Sequence, residues 1–176
     1  MLNQTELIAK ARQIRLLVLD VDGVLTDGRL YYGAAGEQLK VFNTLDGHGL
    51  KMLQKSGVQV ALITGRKGDA ILQRARDLGI SMIQQGREDK LQALQELLLG
   101  TDYQLQEIAC MGDDWPDLKV MRRVGLALTV PNAHATLLEH ADWISQRTGG
   151  EGAVREACDL LMQAQNTFAE ALAHYL

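Results

Sequence analysis

A chain of 176 residues with 47% hydrophobic and 23% charged side chains is long enough for one soluble domain whose core needs no staples. A formal net charge of −4 argues against a general binder of nucleic acid or membrane surfaces. Cys110 and Cys158 lie far apart in apolar surroundings and read as buried free thiols. Met1–Arg15 carries Glu6, Lys10, Arg12 and Arg15 and is not expected to be a signal peptide, and no apolar run is long enough to span a bilayer. A cytoplasmic address is the expectation.

The elements follow in chain order. Leu7, Ile8, Ala11 and Ile14 at helical spacing predict a short amphipathic helix within Leu2–Gln13. Leu16–Leu19 is an aliphatic run that reads as a strand buried on both faces. It ends on Asp20-Val21-Asp22-Gly23. Continued extension would point both carboxylates the same way, and Gly23 permits a sharp turn. Residues 29–42 form two short β-rich runs around Ala34-Ala35-Gly36, a hairpin carrying Tyr31, Tyr32 and Phe42 and expected to find a partner sheet. Asp46-Gly47-His48-Gly49 opens a helix that runs to Gly57.

Strands are then expected at Val58–Ile63, Ile80–Ile83, Glu107–Met111, Val124–Val130 and Asp142–Ser145. Between them helices are expected at Asp69–Leu78 (Ile71, Leu72, Ala75 and Leu78 inward), Glu88–Leu99, Pro116–Arg123 and Ala135–His140. A loop at 146–152 and one helix from Ala153 to Ala173 close the chain. Strands alternating with helices of this length indicate βαβ units and a parallel sheet.

The chemistry sits where strands end, which is where open α/β sheets bind ligands. Asp20 and Asp22 repel each other unless a cation or proton is shared. Thr64, after the second strand, offers a hydroxyl and nearby backbone N–H groups. Lys90 opens a helix, against the helix dipole, which suggests that it faces an anion. Asp113 and Asp114 add carboxylates suited to a hard cation. Each alone also fits an ordinary role: Thr64 in a turn, Lys90 in solvent, Asp114 as a helix cap.

Together these residues resemble, in order and spacing, the four motifs of the haloacid dehalogenase superfamily, with D-x-D-G-x-L-T as the first. The resemblance implies a Rossmann-like α/β/α sandwich on a parallel sheet. It implies Asp20 as nucleophile, Asp22 as acid and base, and Thr64 and Lys90 as holders of the phosphoryl group. Mg²⁺ would be bound by the carboxylates of Asp20 and Asp113 and the backbone carbonyl of Asp22, with Asp114 and Asp117 steadying Lys90 and the metal from behind. Only 41 residues separate Asp22 from Thr64, and 22 separate Lys90 from Asp113. The hairpin and regular elements consume both, so no cap domain is expected, and a second subunit is the expected cover.

More of the chain narrows the resemblance: the hairpin, Phe42-Asn43-Thr44-Leu45-Asp46-Gly47-His48-Gly49, Ile63-Thr64-Gly65-Arg66, Gln85-Gly86, Gly112-Asp113-Asp114 and Gly149-Gly150-Glu151-Gly152-Ala153-Val154-Arg155-Glu156. These look like the capless 3-deoxy-D-manno-octulosonate 8-phosphate (KDO 8-phosphate) phosphatases, tetrameric Mg²⁺ enzymes of lipopolysaccharide synthesis. By position, the resemblance implies substrate contacts from Asp22, Asn43, Thr44, Leu45, Asp46, Gly47, Lys51, Gly65, Arg66, Arg74 and Lys90. Arg66 and Arg74 are expected on one helical side near Thr64, suited to a phosphorylated sugar acid. Leu45, Lys51 and Glu151 depart from the family pattern. A phosphatase for a nine-carbon sugar-acid phosphate or another small ester, and a non-catalytic assembly module, therefore remain as alternatives. His48, His134, His140 and His174 lack metal-ligand spacing and read as surface residues. The glycine-rich loop before the last helix suggests that the 146–176 tail covers a neighbour's site.

Overall fold

The computed structural model describes residues 2–34 and 36–176. Helix α1 (Gln4–Ala11) starts at a capping box in which Asn3 and Glu6 exchange side-chain bonds to backbone N–H groups. Strand β1 (Leu16–Leu19) follows, wholly buried. The hairpin is β2 (Tyr31–Gly33) with β3 (Gly36–Leu39), antiparallel with a register shift between Tyr31 and Tyr32, and it stands apart from the main sheet. Ala35, at the expected turn, lies outside the described residues.

The rest alternates as expected: α2 (Thr44–Lys55), β4 (Gln59–Thr64), α3 (Asp69–Leu78), β5 (Met82–Gln85), α4 (Lys90–Leu97), β6 (Ile108–Gly112), α5 (Trp115–Met121), β7 (Leu126–Thr129), α6 (Ala135–His140), β8 (Trp143–Ile144), α7 (Ala153–Ala164) and α8 (Phe168–Ala173). Six strands form one parallel sheet in the order β5-β4-β1-β6-β7-β8.

Because side chains alternate along a strand, β1 feeds two cores. Leu17 and Leu19 pack with α1, α2, α3 and α7 on one face. Leu16 and Val18 pack with α4, α5 and α6 on the other. The result is the three-layer sandwich, with a hairpin and, among the described residues, no cap domain. Cys110 and Cys158 are buried free thiols.

Four expectations change. The strand expected at Ile80–Ile83 runs from Met82 to Gln85, because Ile80 still bonds back to Ala75 in the turn that ends α3. Leu72 is 37% exposed and does not join Ile71, Ala75 and Leu78 inside. The closing helix is two: Asn166 adopts φ +60 between α7 and α8, and asparagine tolerates that left-handed conformation better than most residues. Extension stops at Asp20. The chain then makes a wide turn over Val21–Leu25, closed by Thr26 N–H donating to Val21 O at 3.0 Å.

Candidate active site

The order in which strands are added reverses between β1 and β6: the chain leaves β1 toward β4 and leaves β6 toward β7. Asp20 follows β1 and Asp113 follows β6, so both carboxylates emerge at the switch point of the sheet. Gly23 makes that approach feasible. At φ +98, a Cβ there would lie 2.0 Å from Asp113 Oδ2. The loop is clamped from behind by the glycine-rich segment. Gly150 N–H donates to Val24 O at 3.0 Å, and a Cβ on Gly149 would lie 1.7 Å from Gly23 O. That segment thus braces the motif loop of its own chain, a role the sequence pattern did not suggest.

Lys90, first residue of α4, is buried and bridges Asp20 Oδ1 and Asp117 Oδ1, each at 2.7 Å. The anion it was expected to face is this pair of carboxylates. Carboxylate oxygens of Asp20, Asp113 and Asp117 all lie within 4.8 Å of one another. Burial first, and then the Asp117 charge, push the Asp20 carboxyl up to about 8 and that of Asp113 up to about 6. Asp117 is also raised, again by burial. Lys90 is driven the other way by burial, but the charges of Asp20 and Asp117 outweigh this and hold it above the ordinary lysine value.

Three carboxylates against one ammonium leave two negative charges, which a single divalent cation balances. The donor set therefore fits Mg²⁺. Asp22 adds a carboxylate whose Oδ1 accepts from Lys40, whereas its Oδ2 is buried without a partner among the described residues. Although the chain does not stay extended, the carboxyl groups of Asp20 and Asp22 do face one cavity.

That cavity measures about 490 Å³ and is lined by Asp20, Asp22, Thr64, Gly65, Arg66, Arg87, Glu88, Lys90, Asp113, Asp114, Pro116 and Asp117. Thr64 is buried at the end of β4, with Oγ1 accepting from Arg66 N–H at 3.2 Å. Asp114 caps α5, accepting from Trp115 N–H at 2.8 Å; Asp117, and not Asp114, is the residue that touches Lys90. Arg66 lies before α3 and bonds to Glu37 of the hairpin, whereas Arg74 lies within α3 and donates to Asn43 O, so the two do not share a helical side.

Asn43, Thr44, Leu45, Asp46, Gly47, Lys51 and Arg74 are not among the lining residues. Asn43 caps α2 and donates to Gly150 O at 3.1 Å. Asp46 is buried and accepts from Arg155 N–H at 2.8 Å, while Arg74 donates to Asn43 O at 3.0 Å. Thr44, Leu45 and Lys51 are exposed. Sequence reading missed Lys40, Arg87 and Glu88. For Arg87 a signal existed, a cation just after the Gln85-Gly86 strand end; for Lys40 there was none, because only the folded hairpin brings it to Asp22.

An acid cluster at the switch point of a parallel sheet, with a threonine and a lysine beside it, is the arrangement of the haloacid dehalogenase-like class of hydrolases. Residues 82–156 match the profile of that family, haloacid dehalogenase-like hydrolase. The chain is 47% identical over 166 residues to the 3-deoxy-D-manno-octulosonate 8-phosphate phosphatase of Escherichia coli strain K12, covering 94% of this chain and 88% of that enzyme. It belongs to the KDO 8-phosphate phosphatase family. Among solved structures, a probable YrbI family phosphatase from Pseudomonas syringae superposes with a TM-score of 0.95 at 49% identity, covering 98% of each chain. The 3-deoxy-D-manno-octulosonate 8-phosphate phosphatase of Moraxella catarrhalis, solved with magnesium, phosphate and KDO, gives 0.94 at 43% identity over 99% of this chain and 100% of that one.

Proposed function

We propose that the protein is a Mg²⁺-dependent phosphomonoesterase that hydrolyses KDO 8-phosphate to KDO and inorganic phosphate. The observation that carries this is the close cluster of the Asp20, Asp113 and Asp117 carboxylates, two of them held by the buried Lys90, beside an Asp22 oxygen that has no partner among the described residues. The carboxylates of Asp20 and Asp113 and the backbone carbonyl of Asp22 are the groups that would hold the metal. When bound, Mg²⁺ supplies positive charge that lets an anionic nucleophile approach an anionic phosphoryl group. Asp20 attacks phosphorus and carries the phosphoryl group as an acyl phosphate. Asp22 gives its proton to the leaving alcohol and later takes one from the attacking water. Thr64 and Lys90 hold phosphoryl oxygens, and Asp117 keeps Lys90 in place.

Arg66 and Gly65 stand at the cavity and are the substrate contacts this chain itself supplies; Arg66 suits the sugar carboxylate. Asn43, Thr44, Leu45, Asp46, Gly47, Lys51 and Arg74 lie around the foot of the hairpin. Of these, the exposed Thr44, Leu45 and Lys51 serve a site completed by a second copy, and the others act by shaping that foot. The reading is of one phosphatase domain that works as a homotetramer in the cytoplasm. Among the described residues no helix is long and apolar enough to cross a membrane.

Phosphate release from eight- and nine-carbon sugar-acid phosphates and from simple esters, with Mg²⁺ present, tests the proposal. KDO 8-phosphate should be hydrolysed fastest, and Asp20→Asn should lower its turnover by about 10³-fold or more. Equal rates on all esters would reduce the protein to a general phosphatase, and no release from any would favour an assembly module.

A further inference from the structure

The hairpin brings a hydroxyl to the site that the chemistry above does not use. Tyr32 and Glu37 face each other across its two strands, and both reach Arg66, which lines the catalytic cavity. Glu37 Oε2 accepts from Arg66 Nε at 3.2 Å and Nη2 at 2.9 Å, so one edge of the guanidinium is taken. Glu37 is itself fixed, because Lys40 holds its Oε1 at 2.9 Å. The Tyr32 hydroxyl oxygen accepts from the same Nη2, also at 2.9 Å.

A guanidinium has five N–H hydrogens and a phenol one O–H. Here Nε uses its one and Nη2 both of its own, which leaves Nη1 without an acceptor among the described residues. Having accepted from Arg66, the Tyr32 hydroxyl keeps its own hydrogen, again with no acceptor among the described residues. One charged donor and one neutral donor therefore stand together at the cavity rim. Solvent reaches both, the Arg66 side chain being 37% and Tyr32 64% exposed.

We propose that Tyr32 is a specificity-determining residue, whose hydroxyl donates to one oxygen of the substrate's carboxylate while Arg66 Nη1 donates to the other. Two donors meeting the two oxygens of a planar acid give direction as well as charge. A neutral sugar phosphate offers no anion there and leaves both donors to water. The aromatic ring stays available to pack along the hairpin, since a phenol joins an apolar body to a polar tip. The inference rests on the phosphatase reading and names how the acid end of the substrate is recognised.

In KDO 8-phosphate the carboxylate and the phosphate sit at opposite ends of the carbon chain. The contact is then equally strong before and during reaction, and it shows in KM. Tyr32→Phe removes one hydrogen bond to a charged group and keeps the ring. It should raise KM for KDO 8-phosphate about tenfold, and the ratio of its kcat/KM to that of p-nitrophenyl phosphate should fall by the same factor. An unchanged ratio would overturn the proposal, whether both esters lose activity together, as for a mere tie of the hairpin, or neither does. A wild type that spares KDO 8-phosphate would defeat the substrate reading alone. The two-donor clamp is then read from 6-phosphogluconate and glucose 6-phosphate as competitors of p-nitrophenyl phosphate, because only the first bears a carboxylate. Tyr32→Phe should weaken the acid about tenfold more than the neutral sugar. Equal weakening, or a wild type that holds the acid no tighter than the sugar, would overturn the clamp.

Discussion

Asp20 and Asp113 carry the strongest functional signature at the level of single residues, because burial makes both reluctant to ionise. Their folded-state values, about 8 and about 6, lie above the unfolded carboxylate value. Each therefore favours the fold at low pH, and that contribution is lost as pH rises through 6 and then 8. A cation that binds these oxygens must displace the protons. Mg²⁺ affinity should accordingly climb by up to about tenfold per pH unit between pH 6 and 8 and level off above that. Calorimetric titration in buffers of different ionisation enthalpy should show protons released on binding at pH 7. An affinity independent of pH would mean that the metal is held elsewhere. Asp20, Asp113 and Lys90 were legible in the sequence because each directly follows a strand or opens a helix, at positions that local pattern marks. Lys40 was not, because its partner lies 18 residues away and is reached only through the hairpin.

Helix boundaries were legible wherever turn chemistry brackets the periodic run, as Asp69 and Gly79 bracket α3. They were less so where polar residues enter a strand, as Gln84 and Gln85 do in β5, or where an asparagine breaks a helix that hydrophobic spacing alone would continue, as Asn166 does. Asp46 shows the same limit in a functional setting. Its place in the D-G-H-G segment suggests a substrate contact, yet the folded chain uses it to join α2 to α7 through Arg155 N–H. Burial lifts its carboxyl up to about 6, with backbone N–H groups of α7 and the Arg74 charge restraining the shift. Its Oδ2 has no hydrogen-bond partner among the described residues. Being raised, this group supports the fold fully below about pH 4 and ceases to do so as pH passes 6, a loss of at most about 3 kcal/mol. Asp46→Asn keeps an acceptor for Arg155 and cannot ionise. Urea unfolding across pH 4 to 7 should show this part of the slope gone in the variant, which should be at least as stable as wild type at pH 7. An unchanged slope would assign the titration to another group.

For the molecule as a whole, alternating strands and helices made the parallel sheet readable, and the switch point then placed the site. What no local pattern encodes is how a capless site is covered. The hairpin forms a two-stranded sheet of its own, and a lone hairpin is marginal in water. Leu30, Tyr32, Leu39 and Val41 are 41%, 64%, 64% and 57% exposed along it, an apolar strip beside a charged catalytic cavity. Assembly through this strip would bury it and bring a second copy's hairpin foot toward the cavity. Leu39 and Val41 make none of the side-chain hydrogen bonds that fix the hairpin to its own chain, so changing them tests assembly with little effect on the fold. The double variant Leu39→Glu with Val41→Glu places like charges in any such contact and should sediment as a single chain, against the four chains proposed for the wild type. Its KM for KDO 8-phosphate should rise at least about tenfold, while p-nitrophenyl phosphate, which needs no sugar-acid contacts, should still be turned over. A variant that stays assembled would move the interface off the hairpin, and one that dissociates with KM unchanged would mean that each chain recognises its substrate alone.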